Sequence, residues 1–514
     1  MVPIDYFDHA VARHAARTAI VDGDVTVTYA ELARQTHQLA IHLSRCCSSG
    51  AAVGLYSPND HRVLMATLGI MRAGRPIMPL HARNTVDTTI RLLQQGQPEC
   101  VIYHSSLSRE VRRLREQVPG VRQWICLDAS IDTDVSIERI VQGEEQYVPD
   151  WIDVCGNRST PVYYWATSGS TGEPKLVVDD CTTFLAMLLN VRTRRTWGEW
   201  PVSLAVAPLT HTAGPRSYSL LTEGATIVVM RDFDAREVLR AIQHYRVSDT
   251  WLPPTALQLI LSVPNATSYD LSSLINVELG AAAIAPDRLR EAVALLGPCV
   301  SQAYGQIESG VVSVLTKEMV AACLAGDHPE RLASSGRTVC ANSFAIISED
   351  GGLLPPLAHG EIVVRGTTVR RYLDEEATTI ARRHGWHHTG DIGYVDHDGY
   401  LYFVGRLKEV VNVAGFKIPC AEVEQVIMEL DDVQECAVIP VPDDLRGEAI
   451  KAIVVVRPGR TLTSDALLRH CRRRLGPGRA PSSVDHRSQL PRSPAGKIDR
   501  LRLRQENDSA LSLR

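Results

Sequence analysis

The segment ATIVVMRDFDAREVLRAIQHYR, residues 225–246, contains one strand followed by one helix. ATIVVM is a short apolar run typical of a buried strand. EVLRAIQHYR then places Val238, Leu239, Ile242 and Tyr245 on one helical face. Helices and apolar strands alternate in this way through the first part of the chain. This alternation predicts an α/β fold with mostly parallel sheets covered by helices.

The sequence pattern changes near Gly385. HTGDIGYVDHDGYLYFVGR indicates short strands joined by turns, with Asp398-Gly399 as a hairpin signal. Beyond Lys408 we predict a helix over 421–430, strands at CAVIPVP and AIVVVRP, and a helix over 466–475. About 105 residues follow Lys408, enough for a small α+β domain. We therefore expect a large N-terminal domain with a β-subdomain, residues 1–407, and a small C-terminal domain, residues 408–514.

Composition excludes several classes of protein. The net charge of −5 over 514 residues gives no case for nucleic-acid binding. The acidic start MVPIDYFDHA and the lack of any run of about 18 apolar residues predict a cytoplasmic protein without a membrane span. The 12 cysteines are scattered without a Cys-x-x-Cys pair, which indicates buried free thiols and neither zinc nor disulfides.

Lysine is rare in this chain. Only six of the 54 basic residues are lysines, so each retained lysine marks a position where a compact ammonium is not exchangeable for a guanidinium. The basic residues also cluster: from residue 457 to the end there are 14 Lys/Arg and 5 Asp/Glu. This tail suits a phosphorylated cosubstrate or an acidic carrier protein, although a solvated basic face explains it equally well.

TSGSTGEPK, residues 167–175, is the first stretch that indicates chemistry. Small residues let consecutive backbone N–H groups point at one anion, and hydroxyls and an ammonium add donors and charge. The spacing of Gly169, Gly172 and Lys175 does not fit the P-loop signature, which argues against a motor or switch NTPase. The alternative is a flexible polar turn.

Further segments follow in order: PLTHTAG, QAYGQIES, HTGD, GRLKEVVNVAGFKIPCAEVE and PRSPAGKIDR. With the glycine loop they resemble the motifs of the adenylate-forming acyl-activating superfamily, which includes acyl- and aryl-CoA synthetases, peptide adenylation domains and luciferases. The resemblance covers nearly the whole chain. It implies that MgATP and a carboxylate give acyl-AMP and pyrophosphate, and that a thiol then attacks the adenylate.

The resemblance also assigns roles to residues. Tyr304 would stack on adenine, Glu308 would hold Mg²⁺, and Asp391 would accept the ribose hydroxyls. Ile307 stands where the family usually has Thr, which predicts a compensating donor or weaker adenylation. The expected nucleotide contacts are Thr167, Ser168, Gly169, Ser170, Thr171, Gly172, Lys175, Ala281, Ala303, Tyr304, Gly305, Gln306, Ile307, Glu308, Asp391, Phe403, Arg406 and Lys497.

Four residues are expected to serve catalysis directly: Lys497, His211, Lys408 and Thr171. An ammonium at Lys497 would bridge the carboxylate and the α-phosphate and offset their repulsion. Lys408 would be the hinge about which the small domain turns between the two half-reactions. After that turn, the thiol tunnel would be lined by Gly415, Phe416 and Lys417.

The acid substrate is less well defined. The pocket is expected to be lined by His211, Ser217, Glu278, Gly280, Ala281, Gly310, Val311 and Val312. No acid follows His211, which disfavours α-amino acids and favours an apolar acyl or aryl acid. Glu278 either faces the pocket and pairs with a polar substituent or is a surface acid. Ala281 would narrow one wall of the pocket.

We therefore predict a stand-alone acid–thiol ligase, monomeric or homodimeric, in natural-product biosynthesis. Its thiol acceptor would be CoA, with a phosphopantetheinyl acyl carrier protein as the alternative. A catalytically inactive nucleotide-binding protein is the alternative from another class, and Ile307 is the feature that favours it.

Overall fold

The computed structural model describes residues 2–129, 131, 134–143, 158–167, 174–194, 200–282, 284–414, 416–443, 445–492 and 498–512. The chain forms two compact units. The first comprises residues 1–344 and 364–387, and the second comprises residues 345–363 and 388–514. Both units have an α/β architecture, as the sequence predicts. The predicted domain boundary at Lys408 marks an expected hinge, and the boundary and the hinge both stay predictions.

The helices of the first unit are α1 Pro3–His14, α2 Tyr29–Cys46, α3 His61–Arg72, α4 Val86–Gly96, α5 Ser108–Gln117, α6 Ile137–Val141, α7 Cys181–Thr193, α8 Ala213–Leu221, α9 Ala235–Tyr245, α10 Pro254–Leu261, α11 Pro286–Leu296, α12 Lys317–Leu324 and α13 Glu375–Ala381. Three short 3₁₀ helices span Ser105–Leu107, Ala266–Ser268 and Pro329–Ala333.

A nine-stranded sheet forms half of this unit. Its spatial order is β16 Arg337–Thr338, β15 Gly310–Leu315, β14 Val300–Gln306, β13 Asn276–Leu279, β12 Asp249–Leu252, β10 Val202–Ala205, β11 Thr226–Val229, β1 Thr18–Asp22 and β2 Val25–Thr28. The strands from β14 to β1 pair in parallel, and antiparallel strands close both edges. The prediction of mostly parallel sheets is confirmed.

The second sheet of this unit has eight strands. Its order is β19 Arg371–Tyr372, β9 Lys175–Asp180, β8 Pro161–Thr167, β4 Ile77–His81, β3 Val53–Ser57, β5 Cys100–Tyr103, β6 Gln123–Cys126 and β7 Val135–Ser136. Only β19 and β9 at one edge run antiparallel to their neighbours. The two strands that flank the glycine loop, β8 and β9, thus lie together near this edge.

Residues 225–246 form the predicted strand and helix. Asp234 accepts hydrogen bonds from Arg236 N at 2.9 Å and Glu237 N at 3.0 Å, which caps the start of α9. Val238, Leu239 and Ile242 are buried on one face of the helix. Burial of about 1.5–3 kcal/mol per such side chain holds the helix on the sheet.

The remaining strands before the C-terminal region are β17 Asn342–Ile347, β18 Gly360–Gly366, β20 Arg382–Arg383, β21 Trp386–Val395 and β22 Leu401–Arg406. In the second unit β21 and β22 pair antiparallel from Asp391↔Arg406 to Val395↔Leu401. The Asp398-Gly399 hairpin is therefore present.

The C-terminal region combines a five-stranded sheet with three helices. Its elements are β23 Val410–Val413, β24 Phe416–Pro419, α14 Cys420–Ile427, β25 Val433–Asp443, β26 Gly447–Val456, α15 Ser464–Leu475, β27 Ser483–His486 and α16 Arg500–Ser512. α14 ends at Ile427, earlier than the predicted residue 430, because Leu430 N donates back to Ile427 O in a tight turn. Among the residues that the structure covers, no helix is long and apolar enough to cross a membrane.

Candidate active site

The base of the glycine loop is a strand pair. Thr167 ends β8 and Lys175 begins β9, and the two residues are directly paired. Thr167 Oγ1 donates to Lys175 O at 3.4 Å. The loop residues Ser168, Gly169, Ser170, Thr171 and Gly172 lie outside the part of the chain that the structure describes. The strands fix where the predicted phosphate loop begins and ends.

Tyr372 links the loop lysine to the predicted metal ligand. Lys175 Nζ lies 5.7 Å from the centroid of the Tyr372 ring. The Tyr372 hydroxyl donates to Glu308 Oε1 at 3.1 Å. Burial and the nearby Glu308 charge raise the pKa of Tyr372, so the phenol stays a hydrogen donor. The structure thus brings the ammonium, the phenol and the carboxylate together.

A buried ion pair supports the arrangement of Lys175, Tyr372 and Glu308. Arg370 Nη2 lies 2.9 Å from Asp179 Oδ2, with side chains only 5% and 1% exposed. Arg370 Nη1 donates to Ile307 O at 2.6 Å, and Arg370 N donates to Glu308 O at 2.8 Å. Because Asp179 lies on β9, the pair joins the strand of Lys175 to the backbone of Glu308. The sequence motifs did not indicate Arg370, Asp179 and Tyr372, since all three lie outside the segments that resemble the family's.

The QAYGQIES segment forms the β14–β15 hairpin. Tyr304 pairs with Ser313, Gly305 with Val311, and Gln306 with Gly310. A Cβ on Gly305 would lie 2.2 Å from Gly310 O, so only glycine fits at this crossing. Val312 is fully buried, whereas Gly310 and Val311 are partly buried. Ile307 packs against the main apolar core of the unit.

His211 lies against a second histidine. The rings of His211 and His81 meet edge to face with centroids 4.9 Å apart. Burial and His81 lower the pKa of His211 to about 3, and burial lowers the pKa of His81 to about 4. The Thr210 hydroxyl lies 3.1 Å from His211 Nδ1. The imidazole is therefore a neutral group at physiological pH.

The other predicted pocket residues lie on α8 and at the end of β13. Ser217 is buried on α8, and Glu278 is only 8% exposed near the end of β13. Glu278 is therefore not a surface acid. Ala281 follows β13 with φ +75, the left-handed region that favours glycine, at a cost of about 1 kcal/mol or more. Ala303 borders Gly280, because a Cβ on Gly280 would lie 3.6 Å from Ala303 O.

The predicted ribose ligands meet in the second unit. Asp391 and Arg406 face each other on β21 and β22, with Arg406 Nε 3.1 Å from Asp391 Oδ1. Asp391 is 2% exposed, whereas Arg406 is half exposed. Phe403 pairs with Gly393 on the same two strands. An exposed guanidinium thus covers a buried carboxylate.

The predicted hinge and tunnel residues are solvent-accessible where the structure describes them. Lys408 is exposed just after β22, and Phe416 is 72% exposed at the start of β24. Lys417 forms an ion pair with Glu349. Gly415 and Lys497 lie outside the described ranges.

Two lysines outside the motifs have other partners. Lys317 Nζ donates to Ile275 O at 3.1 Å, and Lys451 Nζ donates to Asn507 Oδ1 at 2.9 Å. Both therefore serve as local hydrogen-bond donors. The eleven cysteines in the described ranges are free thiols; nine of them are buried as predicted, whereas Cys46 is partly buried and Cys340 is exposed.

Comparison with known proteins defines the class of the chain. The family model for the AMP-binding enzyme matches residues 7–373, and the model for the AMP-binding enzyme C-terminal domain matches residues 422–497. The chain belongs to the AMP-binding enzyme family. It is an AMP-forming acid–thiol ligase, and the family's cosubstrates are ATP and CoA.

Two curated relatives are similar over nearly the whole chain. The 3-[(3aS,4S,7aS)-7a-methyl-1,5-dioxo-octahydro-1H-inden-4-yl]propanoyl:CoA ligase of Rhodococcus jostii (strain RHA1) is 32% identical and covers 95% of each chain. The indoleacetate–CoA ligase of Aromatoleum aromaticum (strain DSM 19018 / LMG 30748 / EbN1) is 30% identical, covering 98% of this chain and 97% of that one.

A solved structure shares the fold. The amide bond synthetase McbA from Marinactinospora thermotolerans superposes with a TM-score of 0.87 at 27% identity, covering 98% of this chain and 99% of that chain. The predicted superfamily, fold class and ligase activity are confirmed, and nothing in these comparisons supports the inactive alternative.

Proposed function

We propose that this chain activates a cyclic or aromatic carboxylic acid with MgATP and transfers the acyl group to CoA. The observation that carries the proposal is the Lys175–Tyr372–Glu308 arrangement beside the base of the glycine loop. Tyr372 contacts both an ammonium and a carboxylate. A metal-bound triphosphate needs both charges: the ammonium pairs with phosphate, and the carboxylate binds the metal cation.

Glu308 fits a Mg²⁺ ligand. Its carboxylate offers hard oxygen donors, and one of them, Oε1, is oriented by the Tyr372 hydroxyl. When bound, Mg²⁺ would neutralise phosphate charge. The residues of the chain itself would do the rest: Lys175 and the loop residues hold phosphate, Tyr304 stacks on adenine, and Asp391 with Arg406 holds the ribose.

Neutral His211 suits a position beside the carboxylate of the acid. An uncharged imidazole leaves the substrate carboxylate free to attack phosphorus, whereas an imidazolium would compete for it as an ion-pair partner. Lys497 would supply the positive charge at the reacting centre and would be withdrawn after adenylation. The supporting observation for a hinge at Lys408 is its exposed position between the segments that the two family models match.

The acid class is suggested by the relatives. Their names specify a bicyclic diketone attached to propanoate and an indole attached to acetate. Both acids carry a rigid ring on a short linker. A carrier-protein thiol remains the alternative acceptor, and the exposed Arg472 and Arg473 on α15 are compatible with either acceptor.

The test is hydroxylamine-trapped pyrophosphate release with MgATP across aryl, arylalkyl, medium-chain and amino-substituted acids. We expect the native chain to release pyrophosphate with cyclic acids. Lys497→Ala should lose this release, and the matched control Lys451→Ala should retain it. Lys497→Ala should still convert preformed acyl-AMP and CoA to the thioester. Equal loss of both half-reactions in Lys497→Ala would contradict the hinge. The absence of pyrophosphate release by the native chain with every acid would contradict the proposed activity.

A further inference from the structure

Four charged side chains, each at most 12% exposed, form a group around Glu278, which is one of the residues predicted to line the acid pocket. Glu278 Oε2 is 3.2 Å from Arg194 Nη1, and Glu278 Oε1 is 3.4 Å from Arg216 Nη1. Arg216 Nη2 donates to Asp249 Oδ1 at 2.8 Å and to Thr250 O at 3.1 Å. We call Arg194, Arg216, Asp249 and Glu278 the Glu278 cluster.

The cluster lies near a glycine that follows β13. Glu278 pairs with Trp251 across parallel strands, and Gly280 follows two positions later on the same side of the sheet. A Cβ on Gly280 would lie 3.2 Å from Trp251 Nε1. Gly280 therefore lets Trp251 and Ala303 approach the end of β13, where parallel strands end and α/β sheets bind ligands.

The members of the Glu278 cluster differ in how many of their hydrogen-bonding groups are already engaged. Both oxygens of Glu278 already contact guanidinium groups. Arg216 is 9% exposed at its side chain, and its buried Nε has no hydrogen-bond partner in the residues that the structure describes. A guanidinium has five N–H donors and no acceptor, so Arg216 can donate to a further acceptor.

A substrate amine would be disfavoured at this position. It would face two guanidinium groups and a carboxylate whose oxygens are both engaged. A purely alkyl group would leave the Arg216 Nε–H buried without an acceptor. A carbonyl or carboxylate oxygen would accept that hydrogen bond.

We infer that the Glu278 cluster selects carboxylic acids whose far end carries a carbonyl or carboxylate oxygen. The inference rests on the proposed function, and it names the substrate class of the same site. Arg216 is the specificity-determining residue because it is the member that donates to the substrate, and Glu278 holds its guanidinium in place.

The test compares acids of matched shape. We would measure kcat/KM for pyrophosphate release with 4-acetyl-, 4-isopropyl- and 4-(1-aminoethyl)benzoate, and with the corresponding 3-phenylpropanoates. We expect the acetyl acid of at least one series to exceed its alkyl and amine analogues by about tenfold or more. Arg216→Met should reduce this ratio to near one. Arg240→Met, which removes an exposed partner of Glu237 on α9, should leave it unchanged.

A second variant keeps the test decisive if Arg216→Met fails to fold. Glu278→Gln keeps the shape but adds one net positive charge to the cluster. It should shift preference about tenfold from the acetyl acid towards the corresponding dicarboxylate. Equal use of acetyl and isopropyl acids by the native chain, or unchanged ratios in the variants that fold, would overturn the inference and leave acid activation standing. The absence of pyrophosphate release with every acid would overturn the proposed function and this inference with it.

Discussion

Tyr372 donates its hydroxyl hydrogen to Glu308 Oε1, and its ring also lies next to the ammonium of Lys175. The phenol remains protonated because burial and the Glu308 charge raise its pKa. One side chain therefore orients the predicted metal ligand and stays in contact with the predicted phosphate ligand. This role can be tested separately for the hydroxyl and for the ring.

Tyr372→Phe should keep the ring beside Lys175 and remove only the hydrogen bond to Glu308. A hydrogen bond to a charged group contributes about 1.5–3 kcal/mol, so kcat/KM for ATP in adenylation should fall about tenfold to a hundredfold. The Mg²⁺ concentration for half-maximal pyrophosphate release should rise as well. Tyr245→Phe on α9 is the matched control, and equal kinetics in the two variants would contradict the role of the hydroxyl.

Breaking the Arg370–Asp179 pair should destabilise the first unit. Arg370→Met or Asp179→Asn alone should lower the free energy of unfolding by about 3–5 kcal/mol, because each leaves a buried group without its partner. The double variant should cost less than the sum of the two. Urea unfolding followed by tryptophan fluorescence measures all three.

The control for this cycle is an exposed pair. Arg246 and Asp270 are 59% and 54% exposed, so breaking their contact should cost less than about 1 kcal/mol. Additive losses for Arg370 and Asp179 would show that the two side chains act independently and would contradict the proposed support of Glu308.

The paired histidines His81 and His211 should make stability depend on pH. Their folded-state pKa values, about 3 for His211 and about 4 for His81, lie below the ordinary value of 6.5. As pH falls below about 6.5, the unfolded chain binds protons that the folded chain does not bind. The stabilisation is therefore complete above this pH, and it is lost as pH falls towards 4 and 3.

His211→Phe should reduce the slope of unfolding free energy against pH between pH 6 and 4 by about one proton, or about 1.4 kcal/mol per pH unit. Chemical denaturation of the native chain and of the variant at several pH values gives both slopes. An unchanged slope for His211→Phe would mean that this imidazole protonates normally in the fold.

Ile307→Thr should restore a hydroxyl at the position where the family usually has one. We expect kcat/KM for ATP to rise several-fold and the free energy of unfolding to fall by about 1 kcal/mol or more, because Ile307 packs against the apolar core. Ile307→Val is the matched control, since it shortens the side chain without adding a donor. A rise in both variants would trace the effect to size and not to the hydroxyl.

Much of the fold could be predicted from periodicity. The 225–246 segment alone indicates a strand and an amphipathic helix, and its buried positions are those that the helical pattern selects. The motif order likewise indicated Glu308, Asp391 and Arg406, and the structure pairs the last two across adjacent strands. Local patterns carry this information because each motif folds as one turn or hairpin.

The supporting contacts could not be predicted in the same way. Arg370 and Asp179 are distant in sequence, and nothing in either neighbourhood distinguishes them from surface charges. Glu278 shows the same difficulty: its partners Arg194 and Arg216 come from two different helical segments, so the sequence left its orientation open. Pairings of this kind depend on the tertiary fold, which a single sequence does not display.

The short β19–β9 pairing has a consequence for the order of folding. Lys175, Glu308 and Tyr372 come from three separate parts of the chain, and Tyr372 reaches the other two only when it pairs with Val177. Contacts between distant segments form late, after the loops between them have closed. During synthesis, the Lys175–Tyr372–Glu308 arrangement therefore stays incomplete until residue 372 has emerged, so the predicted phosphate site would be among the last parts of the first unit to form.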